Sequence, residues 1–279
     1  MIRQKSLCIG INHPKMVLDL NKKTYFLITG ASRGIGKTVA IEVSKLLKPN
    51  SVIVLIARNE DGLKKTKACI ESNRTDLKVL TYSVDLSVAK AEQFQKLLTD
   101  SLIQSKEKIA SFERAFVIHN AGTVGDVSKK AIDVSDTNIW TQYYHTNVFS
   151  TISLNVEFFK VFAFVPKLVV NISSKCGIEP FASMSFYCSG KAARDMYFGV
   201  LAAEEKDTDT IVLNYAPGAI DTDMTVYVQD ATISKDLHNI FKSQRDTKTM
   251  LTTEKTTAKF LNILKEQKFK SGDHVDYWD

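Results

Sequence analysis

The sequence predicts one α/β domain, a Rossmann-like doubly wound parallel sheet of about seven strands with helices on both faces. Strand-like and helix-like segments alternate along most of the chain, which is typical of parallel sheets joined by crossover helices. A glycine-rich turn, TGASRGIG at residues 29–36, follows the first apolar run and opens a helix. The 279 residues, 44% hydrophobic, suit a single domain. We expect this domain over residues 23–279, after an N-terminal extension of residues 1–22.

The amino-terminal half predicts three strands, each followed by a helix. The apolar run 24–29 is the first strand, and Pro49-Asn50 ends the helix that the glycine turn opens. The β-branched run 51–56 fits a buried central strand, and a charged helix follows it. Residues 77–82 predict a third strand and residues 87–105 a polar helix.

The carboxyl-terminal half continues the alternation. Its predicted elements are, in order, strand 115–118, helix 136–164, strand 168–172, helix 187–205, strand 210–214, helix 253–266 and a short strand near the C-terminus. Residues 223–251 are polar, aromatic and rich in threonine, without a clear strand. They fit either a mobile cap over the site or helices at the surface.

The net charge of +6 comes from 37 Lys and Arg against 31 Asp and Glu. A basic balance can indicate nucleic acid or an anionic membrane as a partner. It can equally be a scattered surface excess that suits an anionic cofactor, and no dense run of Lys and Arg is present. We therefore expect no nucleic acid partner. No apolar run approaches the roughly 20 residues of a membrane-spanning helix, so we expect no membrane partner either.

The four cysteines, Cys8, Cys69, Cys176 and Cys188, form no C-x-x-C pair and no secreted pattern. They predict free thiols in a reducing, cytoplasmic setting, with no metal site. The first 22 residues lack the apolar core of a signal peptide.

The glycine-rich turn predicts a site for a dinucleotide. Gly30 allows the tight turn, while Gly34 and Gly36 let a pyrophosphate approach the backbone N–H groups at the helix N-terminus. The alternative, a glycine-rich turn without a ligand, fits this strand–turn–helix context poorly. The predicted cofactor contacts in the turn are Gly30, Ser32, Arg33, Gly34, Ile35 and Gly36.

The end of the second strand predicts NADPH (or NADP) as the cofactor. An NAD enzyme usually carries an acid at this place for the ribose 2′-hydroxyl, whereas this chain has Arg58-Asn59. Arg58 can hold a 2′-phosphate, and Arg33 can join it, although both can also be solvated surface charges. Asp85, followed by Leu86, can accept a hydrogen bond from the adenine amino group or simply cap a helix.

The chemical end of the site is predicted by a serine, a tyrosine and a lysine. Tyr187 and Lys191 are separated by four residues and therefore share one face of a helix. A lysine ammonium beside the phenol is expected to lower the pKa of Tyr187 and make it a usable proton donor. Ser174 ends a predicted strand thirteen residues earlier. With the glycine turn, these residues predict a nicotinamide-dependent carbonyl reductase.

These motifs, with NAG at residues 120–122, Asn147 and Pro217-Gly218, resemble the short-chain dehydrogenase/reductase family from about residue 24 onward. The resemblance implies a catalytic set of Ser174, Tyr187, Lys191 and Asn147, with Ser174 and Tyr187 also binding substrate. Asn147 would position a water behind Lys191, and His119 is expected to be structural. The further cofactor contacts that it implies are Asn120, Ala121, Gly122, Tyr187, Lys191, Pro217, Gly218, Ile220 and Thr222.

Four stretches are similar to the pterin-reducing members of the family, at residues 120–129, 187–196, 214–224 and 269–277. They imply NADPH-dependent reduction of sepiapterin and 6-pyruvoyl-tetrahydropterin in tetrahydrobiopterin biosynthesis. They also imply that Asp276 anchors the pterin, although Asp276 alone is as easily a surface acid, and a homodimer built on the helices of Asn147 and Tyr187. The alternatives are a general carbonyl or diketone reductase and a non-catalytic dinucleotide-binding protein.

Overall fold

The computed structural model describes residues 18–279, which form a seven-stranded parallel sheet in the order β3-β2-β1-β4-β5-β6-β7. This confirms the predicted fold class. The strands are β1 (Thr24–Thr29), β2 (Val52–Ala57), β3 (Lys78–Ser83), β4 (Arg114–His119), β5 (Lys167–Ile172), β6 (Thr210–Ala216) and β7 (His274–Asp276). Each lies within a few residues of a predicted run, because uninterrupted apolar sequence marks strands that are covered on both faces.

Nine α-helices connect or cover these strands within the described residues. They are α1 (Gly34–Ser44), α2 (Glu60–Glu71), α3 (Ala91–Ser105), α4 (Thr137–Tyr144), α5 (Ser150–Val161), α6 (Ser185–Glu204), α7 (Asp223–Ala231), α8 (Lys235–Asp246) and α9 (Thr253–Glu266). The predicted long helix 136–164 is α4 and α5 joined by a π-helical turn, His145–Phe149. Residues 223–251, for which the sequence left two possibilities open, contain the helices α7 and α8.

Alternate strand residues face two separate cores. Phe26 and Ile28 of β1 pack on one face with α1, α2 and α9, whereas Tyr25 and Leu27 pack on the other with α3, α5 and α6. All four side chains have no exposed surface. Burying an apolar side chain of this size contributes about 1.5–3 kcal/mol, so the sheet centre is a rigid base for what its strand ends carry.

The packed domain includes part of the predicted N-terminal extension. Leu18 and Leu20 are buried against the core of the first face, so residues 18–22 belong structurally to the domain. Residues 1–17, the rest of that extension, lie outside the described residues. Cys8 falls among them.

The carboxyl ends of β1, β4, β5 and β6 meet at one edge of the sheet, where the strand order reverses direction at β1 and β4. Ligands of open parallel sheets bind in the crevice at such a place. Among the described residues, no helix is both long and apolar enough to cross a membrane.

Candidate active site

The glycine turn after β1 is closely packed against the end of β4. Gly30 has a φ of +70°, and a Cβ on it would lie 2.6 Å from the Asn120 side-chain nitrogen. A Cβ on Gly36 would lie 2.3 Å from the carbonyl oxygen of Gly30. Both positions therefore require glycine, because any side chain would displace backbone. The turn keeps α1 pressed close to β1, with the first N–H groups of the helix directed at the crevice.

Asn120 ties this turn to β4. Its Nδ2 donates to the carbonyl oxygen of Thr29 at 2.9 Å and to that of Gly30 at 3.3 Å. In return, the Thr29 hydroxyl accepts from the backbone N–H groups of Asn120 and Ala121 at 3.1 and 3.0 Å. Through Thr29, the structure thus brings the predicted cofactor contacts at residues 30–36 and 120–122 together in one closely packed unit.

The two arginines predicted to hold a 2′-phosphate have different surroundings. Arg58 is exposed at the end of β2, close enough to Asp85 to lower the pKa of that carboxyl slightly further. Arg33 instead forms an ion pair with Asp223, the first residue of α7. Both side chains of this pair are more than three-quarters exposed, and exposed pairs contribute only about 0–1 kcal/mol. The pair can therefore open at little cost.

Three further predicted cofactor contacts, Asn59, Asp85 and Leu86, form contacts with residues close to them in the fold. Asn59 caps α2, with its side chain accepting from the N–H of Gly62 at 2.7 Å. Asp85 accepts from the N–H and hydroxyl of Ser87, which are the main cause of its lowered pKa. This is the capping alternative that the sequence left open. Leu86 is buried in the second core.

The segment after β6 carries four further predicted cofactor contacts. Pro217 and Gly218 follow the last residue of β6, and Ile220 forms an isolated bridge with Leu251. Thr222 then precedes α7. These four predicted contacts therefore lie on one loop that leads from the sheet edge to the helix paired with Arg33.

The side chains of Ser174 and Tyr187 lie near each other at the carboxyl end of β5. Ser174 is close enough to the Tyr187 phenol to lower its pKa, against the larger opposite effect of burial. The Ser174 hydroxyl accepts from the backbone N–H of Cys176 at 3.2 Å, which fixes it in the short turn after the strand. Two hydroxyls near each other can bind the same carbonyl oxygen, and one of them can pass it a proton.

The prediction that Lys191 lowers the pKa of Tyr187 is wrong. The pKa of Tyr187 is raised above its usual range, mainly because burial disfavours the phenolate, rather than lowered by the lysine. The Lys191 ammonium lies over the Tyr187 ring, 5.4 Å from its centre, and donates to the carbonyl oxygen of Ile172 at 2.6 Å. Burial, reinforced by Arg194, lowers the pKa of Lys191 to about 7, which removes much of the positive charge that was expected to act on the phenol.

Asn147 lies in the π-helical turn between α4 and α5, and such turns are frequent at functional sites. Its side chain accepts from the N–H of Thr123 at 2.7 Å and donates to the carbonyl oxygen of Tyr143 at 2.9 Å. The amide is thus engaged in holding the loop after β4. Its backbone carbonyl oxygen faces Arg194, whose nearest nitrogen lies 3.4 Å away. The water-positioning role of Asn147 stays a prediction.

Arg194 was not singled out by the sequence reasoning, yet it joins the strand ends beneath the site. It is 1% exposed and donates to the carbonyl oxygens of His119 and Ala121 and, at 2.8 Å, to the side chain of Asn171. The spacing of residues 187, 191 and 194 could have indicated it, because positions i, i+4 and i+7 of a helix lie on one face. Burial lowers the pKa of Arg194 to about 10. Its guanidinium remains charged at neutral pH.

His119 has the structural role expected of it. It is buried, its Nε2 lies 3.2 Å from the Asn155 side-chain oxygen, and burial lowers its pKa to about 3. A ring that stays neutral and enclosed contributes packing rather than proton transfer.

The C-terminal strand β7 lies beside the site. His274 Nδ1 is 2.8 Å from the carboxylate of Asp195 on α6, and the same carboxylate accepts from the Ser173 hydroxyl at 2.7 Å. Asp276 pairs with Ala216 at the end of β6, and one of its oxygens accepts from the N–H of Trp278 at 3.1 Å. The predicted substrate anchor is therefore held at the same sheet edge as Pro217, and it is only partly exposed.

Comparison with known proteins gives both a family and near relatives. The model of the short chain dehydrogenase family matches residues 24–232. A sepiapterin reductase from Xenopus tropicalis is 37% identical over 91% of this chain and 95% of its own. A short chain dehydrogenase structure from Saccharomyces cerevisiae has a TM-score of 0.76 at 24% identity, covering 92% of this chain and 96% of its own.

A second solved structure, from Shigella flexneri and complexed with NADP, has a TM-score of 0.73 at 22% identity. It covers 94% of this chain and all of its own. At these identities the two structures bear on the fold, which they share with this chain over nearly its whole length.

Proposed function

This chain belongs to the short chain dehydrogenase family, in which its relatives include sepiapterin reductase, and we propose that it reduces the side-chain ketones of pterins with NADPH. The observation that carries the proposal is the placing of the Ser174 and Tyr187 side chains near each other at the sheet edge that also holds the glycine turn, whose close packing requires glycine. The turn and the exposed Arg58 fit a dinucleotide with a 2′-phosphate, since backbone N–H groups and an exposed guanidinium favour anions.

The chain's own residues would handle the oxygen of the substrate. When bound, NADPH supplies a hydride to the carbonyl carbon, and negative charge grows on the oxygen. Ser174 and Tyr187 donate to that oxygen, and the raised pKa of Tyr187 keeps its proton available for transfer. Lys191 contacts the phenol ring from one face and, in this proposal, would also hold the nicotinamide ribose.

The pterin is held, in this proposal, by Asp276. A carboxylate can accept two parallel hydrogen bonds from a 2-amino-4-oxo-pyrimidine edge. The strand that carries Asp276 is fixed to α6 through His274, so the anchor and the proton donor keep a constant separation. We therefore assign sepiapterin and 6-pyruvoyl-tetrahydropterin as substrates, and tetrahydrobiopterin biosynthesis as the role.

The test mixes the protein with NADPH and sepiapterin and follows both chromophores. Wild type should consume the two in equal amounts. The Tyr187→Phe variant removes only the proton donor, so it should bind NADPH with unchanged fluorescence but turn over about 10²–10³-fold more slowly. If wild type consumes neither chromophore, the substrate assignment is wrong. Full activity in Tyr187→Phe would instead contradict the role of the phenol.

A general diketone reductase is the second candidate, because one Asp276 oxygen is already occupied by the N–H of Trp278. Asp276→Ala separates the two. In a pterin reductase it should raise the KM for sepiapterin by about tenfold or more while leaving a simple aliphatic diketone nearly unaffected. Equal effects on both substrates would favour the second candidate.

We also propose a cytoplasmic homodimer. Four apolar side chains on α5, the turn before it and α6 are 40–70% exposed: Phe149, Val156, Met196 and Val200. Large apolar side chains exposed on neighbouring helices are typical of protein–protein contact. The proposed catalytic residues Tyr187 and Lys191 lie on α6, and Asn147 lies in the turn before α5.

A further inference from the structure

A buried arginine, Arg194, lies on α6 one turn after Lys191, and no step of the proposed reaction uses it. Its guanidinium donates to the backbone carbonyl oxygens of His119 and Ala121 and, at 2.8 Å, to the side-chain oxygen of Asn171 on β5. These partners are uncharged, and a cation buried among uncharged partners is costly to the folded state. Stability is therefore a poor explanation for this residue.

Asn171 extends these contacts towards the edge strand β7. It has no exposed surface, and its side-chain nitrogen donates to the Asp195 carboxylate and to the side-chain oxygen of Asn214, both at 2.9 Å. The other oxygen of that carboxylate accepts from the Ser173 hydroxyl at 2.7 Å and lies 2.8 Å from His274 Nδ1. A continuous chain of polar contacts therefore runs beneath the site, from the end of β4 to β7.

The two ends of this chain lie at the two proposed binding places. At one end, Arg194 holds the carbonyl oxygen of Ala121, which belongs to the segment 120–122 that is predicted to contact the cofactor. At the other end, the Asp195 carboxylate contacts His274, two residues before the proposed pterin anchor, Asp276. One set of buried side chains thus connects the cofactor loop to the strand that would hold the substrate.

We propose that Arg194 is a positioning residue for hydride transfer, which fixes the cofactor loop relative to the substrate strand through Ala121 and Asn171. This inference rests on the proposed function, because it takes a nicotinamide to bind at one end and a ketone at the other. A guanidinium suits the role, since its planar fork donates in several fixed directions at once. A displacement of about 1 Å between reacting groups can cost on the order of 10²-fold in rate.

The main experiment separates binding from chemistry in Arg194→Met. NADPH fluorescence titration measures affinity for the cofactor, which should change little because Arg194 would not touch it. Stopped-flow mixing of the NADPH complex with sepiapterin measures a single turnover. The rate of NADPH loss should fall about 10²-fold with its amplitude unchanged. A slower phase with NADPH deuterated at the transferred position would identify that phase as hydride transfer.

Amplitude and rate distinguish positioning from damage to the fold. A partly unfolded variant would lose amplitude, while its folded fraction would still react at the wild-type rate. Phe198→Leu is the matched control, because Phe198 is buried on the next turn of α6 and its side chain has no polar atom. This variant should lose stability and keep the wild-type single-turnover rate. An equal loss of rate in Phe198→Leu would overturn the positioning role.

Two further variants decide the proposal if Arg194→Met does not fold. Arg194→Lys keeps the charge without the planar fork, so it should fold and remain slower than wild type. Asn171→Leu leaves the bonds from Arg194 to the carbonyl oxygens at the end of β4 in place and interrupts the chain towards Asp195. Its single-turnover rate should fall while its affinity for NADPH stays close to that of wild type.

The outcomes separate this inference from the proposed function. If wild type consumes no sepiapterin, the proposed function is refuted. If wild type is active and both Arg194→Lys and Asn171→Leu react at its rate, the positioning role alone is refuted. A loss of NADPH affinity as large as the loss of rate would assign Arg194 to cofactor binding instead.

Discussion

Lys191 and Arg194 place two cations beneath the reacting hydroxyls with almost no contact with water. Each donates to backbone carbonyl oxygens: Lys191 to that of Ile172, and Arg194 to those at the end of β4. Burial disfavours the charged form of both groups, and the Arg194 guanidinium further disfavours the ammonium of Lys191. A buried lysine ammonium loses its proton more easily than an arginine guanidinium. Lys191 is therefore the group whose protonation should change with pH near neutrality.

The first prediction concerns this pH dependence. The folded pKa of Lys191, about 7, lies below the 10.5 of a free lysine, so the unfolded chain binds more protons between these values. Wild type should therefore gain stability over Lys191→Met by about 1.4 kcal/mol per pH unit at most as the pH rises above 7. Below pH 7 the difference should be constant. Urea unfolding at pH 6, 7, 8 and 9 measures it.

Lys206→Met, at an exposed turn, is the control for this series, and its stability should follow that of wild type. Parallel stability curves for wild type and Lys191→Met over the whole range would show that the ammonium is not held in an unfavourable environment.

The second prediction concerns Arg58. Arg58→Ala should raise the KM for NADPH by about tenfold or more and leave the KM for NADH nearly unchanged, because only NADPH carries the 2′-phosphate. Steady-state kinetics with both cofactors measures this. Lys64→Ala, an exposed cation on the adjacent α2, is the matched control. An equal change with both cofactors would remove Arg58 from the phosphate site.

β7 is the shortest strand among the described residues. It has three residues, and within residues 18–279 it pairs with β6 alone, so few backbone hydrogen bonds hold it. The Asp195 carboxylate adds a side-chain contact to this pairing: it lies 2.8 Å from His274 Nδ1 and also accepts a hydrogen bond from the Ser173 hydroxyl. Gly177 allows this carboxylate to approach, since a Cβ there would lie 2.6 Å from it. The Asp195 carboxylate therefore holds both the edge strand β7 and the turn after β5 that contains Ser173 and Ser174.

The third prediction tests that support. His274→Ala should leave β7 less firmly placed and raise the KM for sepiapterin about tenfold, while the affinity for NADPH, whose proposed phosphate contacts lie at β1 and β2, should change little. His274→Asn keeps a donor near Asp195 and should recover part of the loss. The measurements are sepiapterin kinetics and NADPH fluorescence titration. A parallel loss of NADPH binding would mean that the histidine supports the whole fold rather than this strand.

Some elements of this fold could be predicted from the sequence, and others could not. The strands were predictable because their apolar runs are nearly continuous, and Tyr187 and Lys191 share a face because of their spacing alone. The π-helical turn at Asn147 carries no such pattern, and neither do the helices of residues 223–251. The pKa of Tyr187 was predicted in the wrong direction because spacing gives proximity but not burial. The partner of His274 depends on a contact across 79 positions of sequence.

For the whole molecule, the proposed dimer gives the fourth prediction. Met196 is 70% exposed on the outer side of α6. Met196→Glu would place a charge in an apolar contact, so this variant should elute as a monomer where wild type elutes as a dimer. Size-exclusion chromatography with light scattering measures the mass.

Ile103→Glu on α3 is the matched control at 69% exposure and should not change the mass. If wild type is itself a monomer, or if Met196→Glu remains a dimer, this pair of helices is not the interface.

The position of β7 has a consequence for how the protein is made. Every other strand of the sheet has left the ribosome before His274 and Asp276 are added, and the glycine turn is complete some 240 residues earlier along the chain. A messenger interrupted just before codon 274 would thus encode the glycine turn, Ser174 and Tyr187 but not Asp276, the residue proposed to hold the pterin. Under the proposed function, such a product would compete for reduced cofactor without reducing pterins.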